Sequence, residues 1–136
     1  VKRLRRPTGT PPPASGTLPS GEAIDLVGPA EEVARRYFDE FPDDLDDYSP
    51  EVREWAVHDT RYILGWAIGD LNGFRMLGRQ VDWLARVLAA RDFPVERLAR
   101  NLELAADVLA ERLPAEREAI EAMFAEAVRG VRATSV

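Results

Sequence analysis

Cysteine is absent from this chain of 136 residues. That removes disulfides, thiolate metal sites and cysteine nucleophiles together. Histidine occurs once, at His58, so neither a His-rich zinc site nor the paired Glu-x-x-His ligands of a di-iron bundle can be assembled. Lysine also occurs once, at Lys2, and arginine supplies every other basic residue, a bias we read as the coding preference of a GC-rich genome. Beyond residue 20 serine and threonine are sparse, with Ser49 and Thr60 the main examples. No G-x-S-x-G, P-loop or G-x-G-x-x-G segment is present. No apolar run approaches the ~20 residues of a membrane span. The basic start VKRLRR leads into prolines instead of the apolar stretch of a signal peptide, so the expected location is cytoplasmic. Period-2 alternation is missing as well, so strands are not expected.

Charge is unevenly spread. The chain carries 18 basic and 24 acidic residues, a formal −6. Residues 1–20 contain Lys2, Arg3, Arg5 and Arg6 and no acid, leaving the remainder at −10. Phosphates would be repelled by so acidic a body, so nucleic-acid binding by the folded part is not expected. The segment PTGTPPPASGTLPSG offers little apolar surface to bury, and residues 1–21 read as a disordered basic, Pro-rich arm in front of a helical domain at 22–132.

Within that domain the spacing of apolar residues predicts an all-α fold, a compact bundle of about five helices over residues 29–41, 50–69, 72–91, 94–112 and 114–129. Pro29, Pro50, Pro94 and Pro114 open four of the five, each suited to a first turn. The second helix, SPEVREWAVHDTRYILGWAIG, is apolar around most of its circumference, which marks it as the central one. Ser49 is its expected cap. Gly65 is expected to admit a neighbouring backbone, and Gly69 or Gly73 to form the turn that follows. The third helix has Phe74, Leu77, Val81, Leu84, Ala85 and Leu88 on one stripe. The acidic loop FPDDLDDYSPE lacks the residue order and the glycine of a calcium-binding loop, and is read as feeding a helix N-terminus.

Chemistry is thinly represented. Trp55, His58 and Tyr62 share a face at helical spacing and form the candidate ligand-binding group. His58 and Asp59 are neighbours about 100° apart on a helix, which argues against a ready-made acid–base pair. Asp59, set among tryptophans, needs a partner, with Arg75, Arg79 and Tyr62 in range of the fold. Met76, Trp83 and Val87 lie off the main stripe of the third helix, and Leu104 and Val108 off that of the fourth. If contiguous, they make a patch that two-fold pairing would bury, so a homodimer with Trp83 near the contact is expected. The function expected is a non-catalytic helical binding, sensor or adaptor module in bacterial regulation, a reading that rests on class-level analogy. It would engage a protein partner or a second copy, with no membrane, metal or cofactor. The alternatives are a sensor that binds haem or a small apolar ligand through His58, and a small helical-bundle enzyme.

Overall fold

In the computed structural model, which describes residues 1–134, helices dominate as their apolar periodicity requires. They are α1 (Val27–Glu40), α2 (Asp43–Asp47), α3 (Val52–Leu71), α4 (Leu77–Ala90), α5 (Val95–Arg112) and α6 (Arg117–Thr134), with a 3-10 turn at Pro114–Glu116. Ahead of them β1 (Ser15–Thr17) and β2 (Ala23–Asp25) form a small antiparallel hairpin with Gly16 opposite Ile24. Among the described residues no helix is long and apolar enough to cross a membrane.

The prolines punctuate the chain as expected, though not always at the first helical position. Pro94 immediately precedes α5 and Pro114 opens the 3-10 turn, whereas Pro50 sits in the turn before α3. Side-chain carboxylates serve the starts of α1 and α4. Asp25 accepts from the N–H groups of Val27 (3.1 Å) and Gly28 (3.0 Å) at the start of α1. These two bonds, Gly28's the stronger, hold its carboxyl below the usual carboxylate range. Asp70, at the end of α3, reaches forward to accept from Met76 and Leu77 N–H at the start of α4. Gly73 takes the left-handed conformation between these helices (φ 91°), and the stretch through Phe74 stays outside α4. That shortens the expected third helix at its N-terminus and leaves Phe74 exposed.

The most deeply buried helix is α5. Leu98, Ala99, Leu102, Leu104, Ala105, Ala106, Val108, Leu109 and Ala110 are all in the core. It packs on α6 and α1 and also touches α3 and α4. Paired arginines fasten its edges. Arg36 of α1 forks onto Glu111 (2.8 and 2.9 Å) while its Nε reaches Glu32 (3.0 Å), and Arg100 meets Glu40 (2.7 Å). Under this rim Asp44, 4% exposed, accepts from Tyr37 Oη (2.5 Å) and from Arg97 of α5, whose guanidinium stacks over Phe41. Burial, then the bond to Asp44, raises the Tyr37 phenol above its ordinary value. The acidic loop thus becomes the short helix α2, anchored through Asp44, instead of only leading into α3.

Several expectations are corrected, the absence of strands among them, since β1 and β2 pair. The arm is not disordered: it runs along α3 for almost the whole length of that helix. Lys2 forms a parallel bridge with Tyr48, and its carbonyl accepts from Ser49 N–H (2.8 Å). Ser49 Oγ accepts from Leu4 N–H (2.8 Å), so it anchors the arm and does not cap α3. The composition argument failed because the arm is held chiefly by its carbonyls, which are polar, and because prolines have little backbone freedom to lose. In turn α3 is less central than its pattern implied. Its inner face (Ile63, Leu64, Ala67, Ile68) is buried, whereas its other flank is covered by the arm and not by a helix.

Candidate functional site

The rows of aromatic and polar residues on α3 become a ladder facing the arm. Trp55, His58, Tyr62 and Trp66 follow one another at one helical turn. Successive ring centroids are 5.1, 5.2 and 5.9 Å apart, the first two contacts edge-on and the third stacked. Side chains along α3 donate to arm carbonyls: Trp55 Nε1 to Arg5 (2.5 Å), Tyr62 Oη to Thr10 (3.1 Å), Arg61 Nη2 to Pro12 (2.7 Å) and Nε to Pro13 (3.2 Å), and Asn72 Nδ2 to Thr17 (2.8 Å). This is the mode by which aromatic-lined grooves read proline-rich segments, whose carbonyls lack local partners. Gly65 completes it, since a Cβ there would come within 2.8 Å of Pro13 Cγ. The close approach expected at Gly65 is therefore made by a proline ring of the arm.

Beside the ladder the arm stands off from the helices and leaves an open cleft of about 650 Å³. Its apolar lining includes Pro7, Pro11, Pro12, Val27 and Val57; its charged lining is Arg6, Arg53, Arg61, Glu31 and Glu54, and His58 lines it too. Arg6 faces Glu54 (3.4 Å). Arg53 lies over the Phe38 ring (5.9 Å), and Arg61 donates from Nε and Nη2 to the proline carbonyls. Neither of these two arginines has a carboxylate within 4 Å among the described residues.

His58 and Asp59 do meet, contrary to expectation. Their Cβ directions diverge, yet the imidazole and the carboxylate turn back toward each other, with Nδ1 2.9 Å from Asp59 Oδ1. A carboxylate oxygen accepts, so Nδ1 is the donor, and Nε2 is the ring nitrogen that Asp59 does not hold. Asp59 therefore finds its partner in the adjacent residue, not in Arg75, Arg79 or Tyr62. Thr60, fully buried, accepts from Asn101 Nδ2 of α5 (3.2 Å). Among the described residues no three His, Asp or Glu side chains converge as a metal ion would require.

The candidate group Trp55, His58 and Tyr62 is thus brought together on one face, with the arm over it. The candidate interface group is divided. Leu104 and Val108 are in the core and cannot contribute to a surface. Met76 tucks over α3, its Sδ 3.0 Å from where a Gly69 Cβ would stand, and Val87 is half-buried. Trp83 stays 53% exposed. Arg53, Arg61 and the arm prolines were not legible as site residues, because only folding places the arm against α3. No family model, curated protein or solved structure matches the chain.

Proposed function

We propose that this chain is a non-catalytic helical binding module, a sensor or adaptor, that takes a ligand with an apolar body and an anionic group in the cleft between the arm and α3. The carrying observation is the pair Arg53 and Arg61, two guanidinium groups without carboxylate partners at a proline- and valine-lined cleft. Arg53 is exposed and Arg61 half-buried, and a guanidinium fork without a carboxylate favours an anion. Glu31 is the one opposing carboxylate of the lining outside an ion pair. The side chains best suited to acid–base or nucleophilic work support the non-catalytic reading, because they are engaged in bonds that hold the fold: His58 Nδ1 on Asp59, Ser49 Oγ on Leu4, Thr60 on Asn101 and Asp44 on Tyr37 and Arg97. A regulatory role in a bacterial cytoplasm belongs to the same proposal and rests on class-level analogy.

Anilinonaphthalene sulfonate, an apolar body bearing one anion, is the probe. We expect saturable, one-to-one fluorescence enhancement that falls at least about tenfold in affinity on Arg53→Glu and on Val57→Glu. Non-saturable binding, or affinity unchanged by both substitutions, refutes the cleft as a ligand site. A second reading, a haem sensor, is favoured by His58 in the cleft lining with Nδ1 on Asp59, so that Nε2 is the ring nitrogen left for a metal. Added hemin would then give a Soret band that His58→Gln abolishes; a band that survives the substitution ends that reading.

A further inference from the structure

We infer that the outer face of α4 is a docking surface for an acidic, amphipathic helix of a partner protein. This face is separate from the cleft, and the inference does not depend on a ligand there. At 100° per residue Arg79, Trp83, Arg86 and Ala90 fall within about 60° of one another, and all four are exposed. The opposite side of α4, Leu77, Val81, Leu84 and Ala85, is in the core. Arg75 and Arg91, also exposed, flank the two ends.

Several arginines elsewhere sit on carboxylates: Arg35 and Arg36 on Glu32, Arg100 on Glu40, Arg132 on Glu96. Among the described residues, Arg75, Arg79, Arg86 and Arg91 have no carboxylate within 4 Å, although the chain as a whole is acidic. Asp82, the one acid on α4, leans toward α6, its Oδ1 3.0 Å from where a Gly130 Cβ would stand. Trp83, between Arg79 and Arg86 on this face, is 53% exposed, and Phe74, next to Arg75 in the chain, is 63% exposed; among the described residues they are the most exposed large apolar side chains apart from Val1. One exposed tryptophan is ordinary, and so is one unpaired surface arginine. Their combination, an aromatic anchor between guanidinium forks, is the composition of interface hot spots.

Charge selects the occupant. Arg79 and Arg86 are two turns apart, about 10.5 Å, the spacing of carboxylates at i and i+7 on a helix laid alongside, with an apolar residue between them for Trp83. A helix about 10 Å wide covers this face alone. A bilayer or a duplex presents an extended anionic surface that would also meet the acidic remainder of the chain. A second copy across a two-fold axis would bring Arg79 and Arg86 toward their own counterparts.

The test is fluorescence anisotropy of a labelled Glu/Leu amphipathic peptide titrated with the full chain, beside the same peptide carrying Lys for Glu, at low and high salt. We expect the acidic peptide to bind at least about tenfold more tightly than its basic counterpart and to weaken with salt. Arg79→Glu combined with Arg86→Glu should cost at least about tenfold, with Arg79→Gln and Arg86→Gln as the milder pair should the reversal disturb the circular dichroism. Trp83→Ala should weaken binding at both salt concentrations. Val57→Glu, in the cleft, should leave it unchanged, so failure of the cleft reading and failure of this one are distinguishable. The inference is overturned if the two peptides bind equally or the charge reversal has no effect. Tighter binding of phosphatidylserine vesicles or of a DNA duplex than of the acidic peptide also overturns it, as does a dimeric wild type that Trp83→Glu renders monomeric.

Discussion

Gly65 is where helix propensity and tertiary packing give opposite signs, and a two-by-two set of variants separates them. In a helix interior, replacing glycine with alanine gains about 1 kcal/mol from propensity alone. In this fold the new Cβ would stand 2.8 Å from Pro13 Cγ, closer than real Cβ contacts come. The ring cannot simply withdraw, because Arg61 holds the carbonyls of Pro12 (2.7 Å) and Pro13 (3.2 Å). Overpacking of this kind costs about 1–3 kcal/mol, so Gly65→Ala in the wild type should be neutral or destabilising by up to about 2 kcal/mol. Pro13→Ala removes Cγ, and the next nearest atom, Cβ, is at 3.9 Å, an ordinary contact. In that background Gly65→Ala should stabilise by about 1 kcal/mol. The coupling between the two sites is then about 1–3 kcal/mol, well above the roughly 0.5 kcal/mol within which independent sites add. Urea unfolding followed by circular dichroism measures all four proteins, with equal m-values required for the comparison. If Gly65→Ala stabilises both backgrounds equally, the arm does not lie against α3 at Pro13.

Asp44→Ala should cost about 3 kcal/mol, because Arg97 and Tyr37 lose their buried acceptor together, while Tyr37→Phe should cost only about 1–2 kcal/mol; thermal or urea unfolding decides, and a loss under about 1 kcal/mol for Asp44→Ala would mean that α2 is not anchored this way. The bonds from Arg35 and Arg36 hold Glu32 down at about 2 from an ordinary 4.5. Its contribution is therefore full above about pH 4.5 and is lost as the pH falls toward 2, where the unfolded chain binds the extra proton first; Glu32→Gln should flatten the acid limb of a stability–pH curve in that window, and an unchanged limb would refute the pairing.

The sequence by itself determined the helices. Apolar residues at i, i+3, i+4 and i+7 mark one face of α1, α4, α5 and α6, because a 3.6-residue period leaves few other ways to bury them. Pro29, Pro94 and Pro114 mark helix starts, because proline lacks the N–H that a first turn does not use. The gathering of Trp55, His58 and Tyr62 on one face was legible for the same reason, since one turn of α3 separates each from the next. The closeness of packing at Gly65 was legible too, but not the identity of the neighbour. Only the tertiary structure decided what covers α3. The ordering of residues 1–21 depends on donors from Trp55, Arg61, Tyr62 and Asn72, far along the chain, meeting carbonyls that every residue carries and that composition therefore cannot reveal. Rotamers, not helical angle, decided that His58 and Asp59 meet. Likewise Leu104 and Val108, off the main stripe of α5, looked like surplus surface until neighbouring helices closed around α5 on more than one side. Periodicity is a local property written in the order of residues; contact between distant segments depends on complementary shape and polarity that emerge only when the chain has folded.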